Sequence, residues 1–210
     1  IGRWLREQRL AGVLASYGHA AILFRSMTSV ALYQRGLSEQ GVPFVTQGGK
    51  GFVDREEVVQ AVALLRALTR PNDAASLLAV LRSPACGASD TEIARFAALT
   101  RREWSARSLE GLSQAELAEV PRVARALAEL ASLARLVREA PADVALRRAL
   151  LEGPDGRGSR LVAVHAASHS GAQRVANLEK LVTRAEQLVR GEGLSLPRVV
   201  ERLWMELKEG

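Results

Sequence analysis

The dipeptide Phe24-Arg25 closes the apolar run "AAILF" (20–24). An aromatic ring can stack on a base there, and a guanidinium can fork onto a phosphate. In open α/β sheets ligands bind beyond the carboxyl ends of buried strands, which is where this pair would fall. The two residues fit an ordinary core phenylalanine and a surface arginine as well. A second stretch, "FVTQGGKGFVDREEV" (44–58), sets three glycines and Lys50 between a strand-like run and a helix-like run. It is not a phosphate-cradling Walker loop. Gly51 stands where that motif needs a hydroxyl, and Phe44 where it needs its first glycine. Glycine permits a turn between strand and helix. Bare backbone at Gly48 and Gly49 also lets a ligand approach closely. Lys50 and Arg55, flanking Phe52, suit a nucleic-acid backbone and a stacked base.

Other reactive residue types form no site of their own. His165 and His169 in "HAASH" are spaced to share a helix face and a metal, but no nearby carboxylate or cysteine completes the ligand set. No metal is therefore expected. Cys86 is the single cysteine, which excludes an internal disulfide, and no histidine stands close to it in sequence. Glu56 and Glu57 read as helix-start acids favoured by the helix dipole.

The elements that would position these residues are lopsided along the chain. Residues 3–15 read as an amphipathic helix, 20–24 as a buried strand, 29–40 as a helix capped by Gly41, and 42–47 as a second strand. Strand, helix, strand is a parallel crossover unit. From there the pattern is helical. Asp54 with Glu57, Ser89 with Glu92 and Ser113 with Glu116 all have capping-box spacing. "RPND" (70–73) breaks one helix and Asp73 caps the next, while "SPACGAS" (83–89) is a turn. Val123, Leu127, Leu130 and Val137 mark a long helix, and "EGPDGRGS" (152–159) is a loop. Val175, Leu178 and Val182 mark another helix, and Pro197 starts the last. The expected fold is mainly α: a small parallel α/β piece followed by an all-helical region.

The bulk numbers bound the class. The 210 residues are 48% apolar, enough for a globular core in one or two domains. No run approaches the roughly 18 apolar residues that span a bilayer, so no membrane partner is expected. The chain opens without Met and reads as a fragment. Its net charge of +6 and pI of about 10.4 permit a polyanionic partner. Arginine carries that charge, since Lys50, Lys180 and Lys208 are the only lysines.

Taken together, "AAILFRS", "VPFVTQGGKGFVDREEV" and "ALLRALTRPNDAASLLAVLRSPACGASDTEI" resemble the UvrD/PcrA/Rep/RecB/AddA helicase superfamily, in family order and near family spacing. "RVANLEKLVTRAEQL" (174–188) resembles its late "NLxxL" helix. "LFRS" and "VLRSP" lean toward AddA or RecB. The resemblance implies the first part of the second RecA-like motor domain with appended helices (1–115), then a helical insertion (116–210). It implies that Phe24 packs on adenine and Arg25 reaches the γ-phosphate, as the aromatic–arginine pair of motif IV does. Phe24 lacks the hydroxyl of the usual tyrosine but keeps its π face. Ala31 stands where UvrD-like members carry a second arginine. "SPACGASD" falls where relatives place a glycine turn toward duplex phosphates, but the Gly-Ile-Gly pattern is missing. The "GGKG" stretch becomes the glycine turn near the single-strand track, with Gly48, Gly49, Lys50, Phe52 and Arg55 as DNA contacts.

The resemblance further implies ATP and Mg²⁺ as cofactors, held mainly by other parts of the whole protein. Walker A, Walker B and the late motifs are not in this sequence, so this segment alone should not hydrolyse ATP. The expected partners are single-stranded and duplex DNA, ATP and a second repair subunit. The cytoplasm is the expected location. The competing expectation is a stand-alone helical module that binds a protein partner, which composition fits equally well.

Overall fold

The computed structural model describes residues 1–46, 52–100, 111–168 and 170–209. They form two compact units, 1–50 and 51–210. Eleven α-helices are present among the described residues, so the chain is mainly α as expected.

In the first unit, α1 (Gly2–Leu10) and α2 (Val30–Glu39) pack about a small cluster of Leu5, Leu37 and Val42, joined by Ile22 and Phe44. Helix α1 is shorter than its amphipathic pattern suggests. Ala11 ends it, and Gly12, at φ 75°, turns the chain into the left-handed region. Gly41 closes α2 as expected, at φ 64°, with its N–H on the Ser38 carbonyl.

The α/β piece is where the structure differs from expectation. Segments 20–24 and 42–46 are extended, but no strand ladder forms among the described residues. A strand is completed by a neighbour's N–H and C=O groups, and neither segment finds one. The strand period nevertheless survives in their burial. Ile22, Phe24, Val42 and Phe44 turn inward, while Leu23 is 93% exposed and Val45 50%.

The second unit is built round α3 (Glu56–Thr69), which buries Val58, Ala61, Val62, Leu65 and Leu68. Against it lie α4 (Ala74–Arg82), α7 (Pro121–Glu139), α9 (Arg160–Ala166), α10 (Gly171–Glu192) and α11 (Leu196–Glu209). Helices α5 (Asp90–Leu99), α6 (Gln114–Glu119) and α8 (Ala142–Arg147) complete the unit, and a π turn over Arg148–Glu152 extends α8. The core is continuous, with Phe96, Leu127, Leu146, Leu178 and Val199 all at 0% exposure.

The helix starts test the capping signals one by one. Ser113 and Glu116 form the complete reciprocal box, Ser113 N–H to the Glu116 carboxylate at 2.8 Å and Glu116 N–H to Ser113 Oγ at 3.3 Å. At Ser89 only half of the box forms. Its hydroxyl accepts from Glu92 N–H, but the Glu92 carboxylate crosses to accept from the N–H groups of Arg122 and Val123 at the start of α7. Asp73 caps α4, accepting from Ser76 N–H at 3.0 Å. Asp54 does not cap α3: Arg55 holds the N-cap position without a side-chain bond. Glu57, its supposed partner, is drawn into the protein instead.

Candidate functional site

In the first unit, Phe24 is half-buried and meets Tyr33 of α2 edge to face, with centroids 4.9 Å apart and planes at 81°. Two bonds fix the surroundings. Ser26 Oγ accepts from Thr28 N–H at 3.3 Å and turns the chain into α2. Gln34 Nε2 donates to Thr46 Oγ1 at 2.8 Å and ties α2 to the second extended segment. Arg25, at the carboxyl end of the first extended segment, is exposed and makes no ion pair among the described residues. The arrangement is a braced ring beside a free guanidinium, which can offer a stacking edge and a phosphate fork.

In the second unit, Phe52 is half-buried against the helical core. The Nζ of Lys180, from the middle of α10, lies 4.3 Å from its ring centroid. Arg55 is exposed at the head of α3, its N–H on the Phe52 carbonyl at 3.3 Å. Gly48, Gly49 and Lys50 lie outside the described residues. Sequence reasoning missed Tyr33 and Lys180. Lys180 had one visible mark, being among three lysines in an arginine-rich chain.

Behind α3 sits a polar cluster that the sequence read as helix-start acids. Glu57 is 3% exposed and accepts from Asn177 Nδ2 at 2.6 Å, with Arg174 at 3.8 Å. Arg174 pairs with Glu56 at 2.9 Å and donates to His165 Nδ1 at 3.2 Å. His165 Nε2 therefore carries the proton and donates to Gln60 Oε1 at 3.1 Å. Burial first, and then the Arg174 charge, hold His165 below its ordinary pKa, against the opposing pull of Glu57 and Glu56. The Glu56 carboxyl is held low, chiefly by the Arg174 hydrogen bond. Both ring nitrogens of His165 are thus committed to protein groups, and His169 lies outside the described residues. This cluster stitches α3, α9 and α10 together.

A cavity of about 40 Å³ lies under the 83–88 turn, lined by Val80, Cys86, Leu130 and Leu161, with Glu129 and Arg160 among its walls. Burial pushes the Cys86 thiol up, so it is not a poised nucleophile. Burial also raises Glu129 against the opposing pull of Arg160, 3.8 Å away.

Residues 6–109 match the family model of the UvrD-like helicase C-terminal domain, and this stretch belongs to that family. Over 75 residues the chain is 35% identical to the ATP-dependent DNA helicase UvrD1 of Mycobacterium tuberculosis (strain ATCC 25618 / H37Rv), covering 36% of this chain and 10% of that protein. Over 80 residues it is 32% identical to an ATP-dependent helicase/nuclease of Listeria welshimeri, covering 38% of this chain and 6% of that protein. The chain thus matches about a tenth or less of the length of these relatives. No helix among the described residues is long and apolar enough to cross a membrane.

Proposed function

We propose that this chain supplies part of an ATP-dependent DNA helicase, or helicase–nuclease, that acts in DNA repair and recombination. The observation that carries the reading is the family match over 6–109, which spans both the Phe24–Arg25 pair and the glycine turn. Phe24 stacks on adenine and Arg25 reaches the γ-phosphate, where its charge offsets charge developing during phosphoryl transfer. The exposed, unpaired guanidinium beside a braced ring supports those roles.

The extended segments 20–24 and 42–47 become parallel strands of a RecA-like sheet in the whole motor. The alternating burial and the bare Leu23 and Val45 support this, since a parallel strand is covered on both faces. The division between motor with appended helices and helical insertion falls near residue 115, close to the end of the family match at 109. Gly48, Gly49, Lys50, Phe52 and Arg55 lie along the single strand, and residues 116–210 guide duplex or regulate unwinding. ATP and Mg²⁺ are held mainly by the rest of the protein, so this segment alone does not hydrolyse ATP. Cleft closure on ATP steps the strand. A second repair subunit is the expected protein partner, and the cytoplasm the site of action.

The test is ATP hydrolysis by the full-length protein. Arg25→Ala is expected to lower DNA-stimulated turnover about 10³-fold while ATP still binds. Phe24→Ala is expected to raise KM for ATP, and Phe24→Tyr to preserve it. Turnover by Arg25→Ala equal to wild type overturns the assignment.

A further inference from the structure

We infer that Lys180 is a nucleic-acid phosphate contact and that Phe52 acts as its seat rather than as a base-stacking platform. The inference rests on the DNA-binding reading above and changes the role of one of its residues.

Phe52 packs against the helical core, and the ammonium of Lys180 lies over its ring at 4.3 Å. A base would have to displace that ammonium to stack on this face. Lys180 is exposed and makes no ion pair among the described residues, and the same holds for Arg55. The first acid of α3, Glu56, is committed to Arg174 at 2.9 Å. The lysine is also held by more than its own side chain. Asn177, one helical turn earlier on α10, is 6% exposed and bonds the buried Glu57 at 2.6 Å, which fixes α10 against α3. Phe52 precedes that same Glu57 by a short stretch of chain, so the ring and the ammonium are set by the same pair of helices. The product is two free cations, Lys180 and Arg55, close to a ring that restrains one of them. A polyphosphate strand is the ligand such a pair fits, because a seated ammonium loses less freedom on binding than a loose one.

The test is fluorescence anisotropy of the 210-residue protein on a labelled single-stranded oligonucleotide, from about 50 mM to about 200 mM salt. Lys180→Ala is expected to weaken binding several-fold at the low end and to make the salt slope shallower by about 0.7, one phosphate contact on a single strand. Lys180→Arg should retain most of the affinity and slope. Phe52→Leu should move both in the same direction as Lys180→Ala, with thermal melting verifying that the fold is kept. An abasic oligonucleotide should show the same loss, because no base is read. Lys208→Ala, whose ammonium sits 5.4 Å from the Trp204 ring, is the control and should change neither. If wild type binds steeply with salt and Lys180→Ala matches it, this inference fails and the DNA reading stands. If wild type binds no single strand at about 50 mM salt, both fail.

Discussion

The two units differ in how they treat large apolar side chains. The first leaves Ile1, Trp4, Leu10, Val13, Leu23 and Leu32 between 58% and 93% exposed. The second exposes Val59, Val144 and Met205, each at 45% or less, and buries Phe96, Leu65, Leu81, Leu127 and Leu178 almost completely. The difference separates stability from chemistry. The helical unit has its own core, while the unit carrying Phe24 and Arg25 offers bare apolar surface to a partner. That is the pattern expected of a motor piece whose sheet is finished by other chain segments, followed in the chain by a self-sufficient helical unit.

Substitutions can break this contrast, and the largest effect belongs in the helical core. Phe96→Ala should cost about 3–5 kcal/mol in urea unfolding. Leu23→Ala, at 93% exposure, should stay within about 0.5 kcal/mol. Similar costs for the two would remove the distinction.

Next is the buried cluster. Asn177→Ala leaves the Glu57 carboxylate without its 2.6 Å donor and should destabilise the helical unit by about 1–3 kcal/mol. Asp73→Ala removes the α4 cap and the 2.7 Å partner of Arg66, for about 1–2 kcal/mol. Burial alone would raise the Asp73 carboxyl, but bonds from Ser76 and Arg66 outweigh it and hold it low.

A smaller, pH-dependent effect follows from His165. Its pKa is lower folded than unfolded, so the unfolded chain takes up the proton first. Its contribution is complete above the unfolded value of about 6.5 and is lost as pH falls below it. The groups facing the ring are Arg174, Glu56, Glu57 and Gln60. Unfolding midpoints measured between pH 7.5 and pH 5.5 should therefore fall with acid, and the fall should shrink in His165→Gln. The smallest effect is at the surface: Arg82→Ala, losing the exposed 3.1 Å pair with Asp90, should shift stability by less than about 0.5 kcal/mol.

What the sequence reveals follows the range of the interaction. The Ser113–Glu116 box spans three residues and forms as read. Asp54–Glu57 has the same spacing and fails, because the Asn177 amide that claims Glu57 lies 120 residues away. The Glu92 carboxylate is diverted likewise to the start of α7. Segments 20–24 and 42–46 show their strand period within themselves, but a ladder depends on a neighbour and no ladder is present among the described residues. Phe24 and Arg25 are adjacent and legible as a pair. The seat of Lys180 on Phe52 joins distant parts of the chain, and no local pattern announces it.

The most direct test of the helicase assignment is anisotropy of this chain on single-stranded, duplex and forked DNA across a salt series. The account predicts binding that weakens steeply as salt rises above about 50 mM, strongest on the fork and reduced in Arg55→Ala. No binding to any of the three at about 50 mM salt would contradict it and would turn the helical unit toward protein contacts.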